Sequence, residues 1–375
     1  MAEKGSPPLN WRDCTSFVEV KGSVDDAPHP DDSHTGSPKD SLVQAVDYCR
    51  SILDCRPFML HVYGIILCGY KFCLVYVDRY GVILSPHSSF RDRGTGDEPD
   101  GLSQFIRIIL RLMWDASDHE LGMDPNVTNS GKRTDFDGQK YPRLTVSMTT
   151  PEGPSTWNTL GPPLWTSHTL FGRGTSVWRV TKSHKPPSIL KVAWSTTNRK
   201  PERDIYASIQ SLIEKAGGES IPGMVNCHTV EGGDVFYPDD PTVPINVSSL
   251  RPKGTQPCPE QPPQLVYPDL HLHRVVFHDV GKPLWRFNGH PQLVRAMKMA
   301  LEAHEKLCEL GVLHRDISPG NIMIRMNVSR HENQIQELEK DVELTEGFLT
   351  DFELAEGPWS DDTPKRNDIV TVSDS

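Results

Sequence analysis

Four stretches of the chain repeat apolar residues at the spacing of one helix face. These stretches are 41–55, 102–114, the segment that follows Pro201, and 291–310. In each, apolar side chains recur three, four or seven positions apart, which is typical of a helix with one buried side. The last stretch is the longest, and Gly311 is expected to end it. One face of that helix is expected to carry Leu293, Val294, Met297, Ala300, Leu301, Leu307 and Cys308.

Shorter apolar runs predict strands. The runs 58–68, 71–77 and 82–85 are separated by turn residues, which indicates a meander of hairpins. Together with the first two helices they give residues 41–150 an α+β pattern of their own. Further strands are predicted at 170–180 (on both sides of a tight turn), 188–194, 274–277 and 347–350.

The remaining segments show little periodicity. Residues 1–40 are rich in Asp, Ser, Gly and Pro and are predicted to be disordered, as is a polar tail at 359–375. Prolines predict a loop at 151–165, and eight prolines predict a long exposed insert at 230–265. A second insert at 329–346 is charged and is predicted to be helix-prone.

Composition narrows the class of protein. A chain of 375 residues predicts two to three domains of ~150 residues each. The net charge of −11 argues against a nucleic-acid-binding surface. The N-terminus lacks the apolar core of a signal peptide, and no run of 18 apolar residues predicts a membrane helix. We therefore expect an intracellular protein, cytoplasmic or nuclear, with no membrane partner and with its eight cysteines reduced.

The stretch 312–324 carries the strongest chemical signal. It places His314-Arg315-Asp316 and, five residues after the aspartate, Asn321 between a predicted helix and an apolar run. This spacing matches the H-R-D-x-x-x-x-N catalytic loop of kinases. Phosphoryl transfer uses such an Asp to accept or orient the attacking hydroxyl and such an Asn to help hold Mg²⁺.

A lysine inside an apolar strand is the second signal. Lys191 lies within 188–194, and a buried ammonium group needs an anionic partner. Glu202 begins the next predicted helix and shares the inward face with Ile205, whereas Asp204 is ~200° around the helix from Glu202. An ion pair between Lys191 and Glu202 is therefore predicted. The alternative is a surface lysine, with a first-turn Glu favoured by the helix dipole.

A glycine pair and a late aspartate complete the set. Gly172 and Gly174 would let the backbone approach phosphates, although Val177 stands where a third glycine is expected in a kinase loop. An ordinary hairpin turn explains the pair equally well by itself. Asp351 follows the last predicted strand and is placed to bind Mg²⁺. It begins Asp-Phe-Glu, a tripeptide that also occurs in small-molecule kinases, whereas Arg315 favours protein kinases.

In this order the motifs resemble the fungal-type protein kinase family, over roughly residues 41 to 355. The stretches that are similar to that family are Asp78-Arg79-Tyr80-Gly81, Leu121-Gly122-Met123-Asp124-Pro125, Gly172-Arg173-Gly174-Thr175, Val280-Gly281-Lys282-Pro283-Leu284, and His314-Arg315-Asp316-Ile317-Ser318 with Asn321-Ile322-Met323.

The resemblance implies an α+β, protein kinase-like two-lobe fold over 165–358, preceded by the 41–150 region as an accessory block. It implies ATP- and Mg²⁺-dependent transfer of the γ-phosphoryl group to Ser or Thr hydroxyls of a protein substrate. Asp316 would be the catalytic base, next to His314 and Arg315, and Asn321 and Asp351 the metal ligands. The nucleotide would contact Gly172, Gly174, Thr175, Lys191 and Glu202.

The resemblance also leaves alternatives open. Only 24 polar residues follow Asp351, with no A-P-E-like segment, so we expect an incomplete C-terminal lobe and a partner chain that covers it. A pseudokinase or nucleotide-binding scaffold is one alternative to an active protein kinase. A small-molecule kinase of the aminoglycoside or choline kinase kind is the other.

Overall fold

The protein is a mixture of helices and mostly antiparallel strands, divided into two compact units. The structure is a computed structural model. It describes residues 11–28, 39–94, 99–136, 139–150, 153–182, 185–252, 269–326, 328–331, 334–337 and 346–359. The first unit holds the described residues up to Val127 together with Thr166–Thr175 and 247–252. The second holds the other described residues.

The first unit is a five-stranded sheet backed by a helix. Its strands are β1 (Ser16–Lys21), β2 (His61–Cys68), β3 (Lys71–Asp78), β4 (Val82–Leu84) and β5 (Ser88–Ser89). Strands β1 to β4 lie side by side in that order, and β5 pairs with β3. The predicted meander is therefore present, and β2 and β3 pair along their whole length.

The sequence predicts that residues 1–40 are disordered, but part of this segment forms a strand. Strand β1 lies parallel to β2, and Phe17 packs against the core of the first unit. The alternation of Phe17, Val18, Glu19 and Val20 is too short to stand out from the polar segment around it. Pairing with the already formed edge of β2 decides its structure. The other parts of this prediction, 1–10 and 29–38, and residues 360–375 of the predicted tail lie outside the described residues.

Helix α1 (Asp40–Cys55) forms because its apolar residues recur on one face. Ala45, Cys49, Ile52 and Leu53 are fully buried in the core of the first unit. Burying a side chain such as Ile or Leu contributes about 1.5–3 kcal/mol.

Helix α2 (Gly101–Leu110) follows, and its last turn widens into a π-helical segment at Arg111–Asp115. Phe105 of α2 packs on Phe72 and Phe90.

A seven-stranded sheet forms one part of the second unit. Its order is β11-β14-β10-β9-β8-β7-β6. The strands are β6 (Val127–Phe136), β7 (Gln139–Thr150), β8 (Gly153–Thr166), β9 (Ser176–Thr181), β10 (Ser188–Thr196), β11 (Glu231–Asp234) and β14 (Leu270–Phe277). Strand β14, next to the edge strand β11, is buried along its whole length, and β10 is buried at most positions.

The prediction of a loop at 151–165 is wrong, because most of this segment forms β8. Ser155, Trp157 and Thr159 alternate inward and are buried, so the segment has the period of a strand. Its prolines suggested a loop, but three of them lie at less buried positions of β8. Likewise, the tight turn at 170–175 is not preceded by a strand, since β8 ends at Thr166.

The other part of the second unit consists of helices and a small sheet. Helix α3 (Glu202–Lys215) follows β10, and the short α4 (Val247–Leu250) belongs to the first unit. Helix α5 (His290–Glu309) precedes the predicted catalytic loop. The three-stranded sheet has the order β15 (Gly281–Pro283), β16 (Ile322–Arg325), β19 (Gly347–Leu349).

Helix α5 buries a face that is rotated from the expected one, although Ala300 and Leu307 belong to both. Its buried positions are Ala296, Ala300, Ala303 and Leu307, together with Gln292. Val294, Met297 and Leu301 of the predicted face are exposed instead. Small side chains face inward because β19 lies close to the helix. A partner chain over the exposed side stays a prediction.

Gly347 shows how close this approach is, and its replacement by alanine is expected to destabilise the protein. A Cβ atom at this position would fall on the backbone of Ala296. We expect Gly347→Ala to lower the free energy of unfolding by about 1–3 kcal/mol, measured by urea denaturation. Gly22→Ala is the control, because a Cβ there meets nothing within 4 Å. Equal stability of the two variants would contradict the packing described here.

Both inserts differ from their predictions. Residues 231–250 hold β11, β12 (Phe236–Tyr237), β13 (Asp240–Pro244) and α4, with Val235, Ile245 and Val247 buried, so this part is not an exposed loop. Residues 253–268 lie outside the described part. The charged insert, predicted to be helix-prone, holds the paired strands β17 (Val328–His331) and β18 (Gln334–Glu337). Residues 332–333 and 338–345 of this insert lie outside the described part.

None of the helices that the structure describes combines the length and the apolar character that a membrane crossing requires. The cysteines in the described ranges are free thiols. Cys258 lies outside those ranges.

Candidate active site

Lys191 lies at the centre of a buried group of carboxylates. Strand β10 places it between Val177 of β9 and Val275 of β14. Its Nζ is 2.8 Å from Glu202 Oε2 and 2.9 Å from Asp351 Oδ1. The lysine side chain is 9 % exposed, so these pairs are weakly screened by water. The structure therefore brings together three residues that the sequence places 11 and 149 positions apart.

Glu202 reaches the lysine because it is the first residue of α3. Pro201 precedes it as the N-cap and directs the first turn. The Glu202 side chain is only 4 % exposed. Asp204, the competing carboxylate, is half exposed and lies beside Arg203. The angular argument from the sequence thus selects the residue that contacts Lys191.

Glu353 is a third carboxylate near the same lysine, and it was not among the predicted site residues. Its Oε2 lies 3.8 Å from Lys191 Nζ, and its side chain is buried. Oxygens of Glu202, Asp351 and Glu353 lie within 4.8 Å of one another. The tripeptide Asp-Phe-Glu signals it, because side chains two residues apart can point to one side.

The catalytic-loop residues are joined by hydrogen bonds. Asn321 Nδ2 donates to the Asp316 carboxylate (Oδ2, 2.9 Å) and to its backbone carbonyl (2.9 Å). Arg315 has φ = 69°, a left-handed conformation that a side chain of this size rarely adopts. Such strain persists only where surrounding contacts fix it. The two hydrogen bonds from Asn321 Nδ2 hold the Asp316 carboxylate in one orientation.

A short bridge holds the other side of the loop. Leu313 and Glu356 exchange two backbone hydrogen bonds, of 2.7 and 2.9 Å. The Arg315 guanidinium lies 2.8 Å from the Glu356 carboxylate. Both side chains of this ion pair are more than a third exposed, so its contribution to stability is small. Its effect is to orient the Arg315 guanidinium towards Glu356.

His314 connects the catalytic loop to the strand that ends before Asp351. It is fully buried, and its Nε2 donates to the Thr350 carbonyl at 3.0 Å. Its Nδ1 accepts from the Asp316 N–H at 3.3 Å, which fits a neutral imidazole protonated at Nε2. Burial lowers the pKa of His314, although the bond to Thr350 opposes this shift. His314 is therefore an uncharged connector.

A second hydrogen bond joins Thr350 to the same loop, because the Thr350 N–H donates to the Asn321 carbonyl at 3.0 Å. The residue before Asp351 is thus bonded to both ends of the catalytic loop. The Phe352 ring packs 4.4 Å from the His314 ring, between centroids. These contacts link the segments that carry Asp316, Asn321 and Asp351, whose common role in one site stays a prediction.

Tyr206 is a further residue that sequence reasoning missed. Its buried hydroxyl accepts hydrogen bonds from the Asp351 N–H (3.1 Å) and the Phe352 N–H (3.4 Å). The same hydroxyl donates to Glu202 Oε1 at 3.4 Å. Asp351 has φ = 63°, so the tyrosine stabilises a strained backbone at a predicted metal ligand. Its position four residues after Glu202, on the same face of α3, is the signal that could have found it.

Removal of this hydroxyl is expected to loosen the Asp351 turn. Tyr206→Phe leaves the ring packed and leaves two N–H groups without their acceptor. We expect the free energy of unfolding to fall by about 1–3 kcal/mol, measured by urea denaturation. Tyr237→Phe, outside this cluster, is the control. An unchanged stability in Tyr206→Phe would show that the hydroxyl does not support the turn.

The predicted phosphate-loop residues belong to the first compact unit. Gly172 and Gly174 have positive φ values of 87° and 47°, which glycine adopts without strain. The Gly172 N–H donates to the Arg79 carbonyl at 2.7 Å, and the Thr175 carbonyl accepts from the Ser167 N–H at 2.8 Å. Their role beside Lys191 stays a prediction.

A search of curated proteins found no match to the chain. A family model described as fungal protein kinase matches residues 8–368, nearly all of the 375 residues. This range includes the catalytic loop, Lys191, Glu202 and Asp351, and it also includes the first compact unit. The chain therefore belongs to the fungal protein kinase family.

Proposed function

We propose that the protein is an ATP- and Mg²⁺-dependent protein kinase that transfers the γ-phosphoryl group to Ser or Thr hydroxyls. The observation that carries the proposal is the pair of hydrogen bonds that join Thr350 to the predicted catalytic loop, one at His314 and one at Asn321. It fixes the position of Asp351 relative to Asp316 and Asn321, and phosphoryl transfer depends mainly on such positioning. The proposed fold of the catalytic part is the two-lobe kinase fold.

Asp316 is proposed to accept the proton of the attacking hydroxyl. Its carboxylate is exposed, so a substrate hydroxyl can reach it, and Asn321 holds it in one orientation. In this role a carboxylate orients the hydroxyl and accepts its proton as the bond to phosphorus forms. His314 and Arg315 act by shaping the loop around Asp316.

The donor set of the site fits Mg²⁺, because this ion prefers carboxylate and amide oxygens. Asp351 and Asn321 would hold it, and Asn321 would use its amide oxygen since Nδ2 donates to Asp316. When bound, the ion neutralises charge on the phosphates. Lys191 would hold the nucleotide phosphates, with Glu202 keeping the lysine extended from β10.

A small-molecule kinase is the second candidate, and Glu353 is the observation that favours it. This residue stands where protein kinases have the glycine of D-F-G. Its buried carboxylate lies beside Lys191 rather than in solvent. A different acidic arrangement around the phosphates would suit a kinase whose acceptor is a metabolite.

Radiolabelled ATP and a mixed protein substrate separate these possibilities. We expect γ-phosphoryl transfer that requires Mg²⁺ and yields phosphoserine or phosphothreonine on acid hydrolysis. Transfer to aminoglycosides or choline but not to protein would support the second candidate. Thermal stabilisation by MgATP without any transfer would indicate a nucleotide-binding scaffold and would refute catalysis.

A further inference from the structure

The segment Asp78-Arg79-Tyr80-Gly81 at the end of β3 has no part in the proposed chemistry. Asp78 and Arg79 are nevertheless both buried, at 0 % and 2 % exposure. Each is bonded to a segment far along the chain, Arg79 to 169–172 and Asp78 to Arg251. All of these residues lie within the first compact unit. Two adjacent buried charges with distant partners point to a specific connection.

Arg79 is bonded to the glycine segment from both its side chain and its backbone. Its Nη1 donates to the carbonyls of Thr169 (3.0 Å) and Leu170 (3.1 Å). Its own carbonyl accepts from the Gly172 N–H at 2.7 Å. Three hydrogen bonds thus join one residue to three positions between 169 and 172, and Leu170 is also buried in the core of this unit.

The charge of Arg79 strengthens this connection. No carboxylate in the described part of the chain lies within ion-pair distance of it. Burial lowers the pKa of its guanidinium, and the field of Asp54 opposes the shift. A buried cation needs polar partners, and here two backbone carbonyls of the glycine segment supply them. The conformation of that segment and the burial of Arg79 therefore depend on each other.

The side chain of Arg79 also lies close to Gly174. A Cβ atom at this position would lie 2.5 Å from Arg79 Nε and 2.6 Å from Cζ. The guanidinium is buried and hydrogen-bonded, so it cannot move aside as an exposed arginine would. At Gly172, by contrast, a Cβ atom would meet nothing within 4 Å. Both glycines have a positive φ, but only Gly174 is also required by the approach of Arg79.

Asp78 holds the turn that presents Arg79. Its carboxylate accepts from the N–H groups of Tyr80 (2.8 Å) and Gly81 (2.9 Å). It also accepts from Arg251 Nε (2.7 Å) and Nη2 (3.0 Å), a two-point contact. A fully buried carboxylate with four donors is a rigid support. The turn after β3 is therefore fixed before any ligand binds.

We propose that Arg79 is a positioning residue, through which the accessory region sets the conformation of the Gly172–Gly174 loop for nucleotide binding. The proposal rests on the proposed function and on the prediction that this loop contacts the nucleotide phosphates. It makes nucleotide affinity depend on a residue 95 positions before Gly174, in the predicted accessory region. Arg79 itself does not touch the nucleotide.

The test is a double-mutant cycle of Arg79→Ala and Gly174→Ala, with Arg79→Lys as a milder change. Amide hydrogen exchange of the 167–175 segment reports on the loop without any ligand. We expect about tenfold faster exchange in Arg79→Ala and Gly174→Ala. The added methyl group should have a smaller further effect once Arg79 is absent, because the crowded atoms are gone and only the strain of the positive φ remains. Arg107→Ala, an exposed arginine of the same unit, is the control.

Steady-state kinetics give the functional readout. We expect KM for MgATP to rise at least about tenfold in Arg79→Ala with kcat changed much less, because misplacement of a binding loop weakens ligand contact. Exchange at the wild-type rate, or strictly additive effects of the two changes, would overturn the proposal. Faster exchange with an unchanged KM would overturn the positioning role.

If Arg79→Ala does not fold, Arg79→Lys and Gly174→Ala test the same contact with a smaller change. If the wild-type protein neither binds nor uses MgATP, the proposed function fails by itself. The exchange cycle still decides whether Arg79 holds the loop.

Discussion

Replacing Asp316 by asparagine is expected to lower kcat for phosphoryl transfer by about 10²–10⁴-fold. The carboxylate is the group proposed to accept the substrate proton, and an amide cannot do so. Its amide oxygen can still accept the hydrogen bond from Asn321 Nδ2, so the loop should keep its shape. Transfer of radiolabelled phosphate to protein, measured at saturating MgATP, gives the comparison.

Two controls separate loss of chemistry from loss of structure. Asp239→Asn removes the same charge from an exposed position in the second unit and should leave kcat unchanged. The stabilisation of Asp316→Asn by MgATP should match that of the wild type, because Asp316 is not proposed to bind the nucleotide. Transfer by Asp316→Asn at a rate near that of the wild type would refute the assignment of Asp316.

The candidate site residues could be proposed from the sequence because their signals are local. His314, Asp316 and Asn321 lie within eight residues, and their spacing alone indicates a loop with one function. Lys191 stands out because a charge interrupts an apolar strand. Glu202 was predicted from its angular position on α3, and it is the carboxylate nearest to the lysine.

The supporting residues could not be predicted, since their roles depend on contacts between distant segments. Tyr206 reads as one more apolar position of α3, yet its hydroxyl supports the Asp351 turn. Arg79 follows an ordinary strand, and its partners lie 90 and 91 positions away. Apart from the spacing of Tyr206 from Glu202, the local pattern around these two residues does not indicate their partners.

Hydrophobic periodicity also gave wrong predictions where the distance between packed elements decides which side chains are buried. On α5 the large apolar residues suggested the buried face, but the helix turns its alanines inward. The close approach of Gly347 to Ala296 leaves no room for larger side chains. Similarly, β8 tolerates several prolines because the strand keeps its alternating burial around them.

Lys191→Met is expected to have the second large effect, on both stability and activity. The lysine offsets the charge of the buried Glu202 carboxylate and lies beside Asp351 and Glu353. Its removal leaves Glu202 buried without its cation, which costs about 3–5 kcal/mol of unfolding free energy. Because the proposed phosphate contact is lost as well, kcat/KM for MgATP should fall by about 10²–10³-fold.

The double variant Lys191→Met/Glu202→Gln separates these two effects. Glutamine removes the unpaired charge and keeps an oxygen that can accept from the Tyr206 hydroxyl. We therefore expect urea denaturation to show a partial recovery of stability, while phosphoryl transfer stays as low as in Lys191→Met. Recovery of activity along with stability would mean that Lys191 only supports the fold. A stable Lys191→Met protein with normal kinetics would contradict the buried ion pair, because a carboxylate that is only 4 % exposed cannot lose its cation without cost.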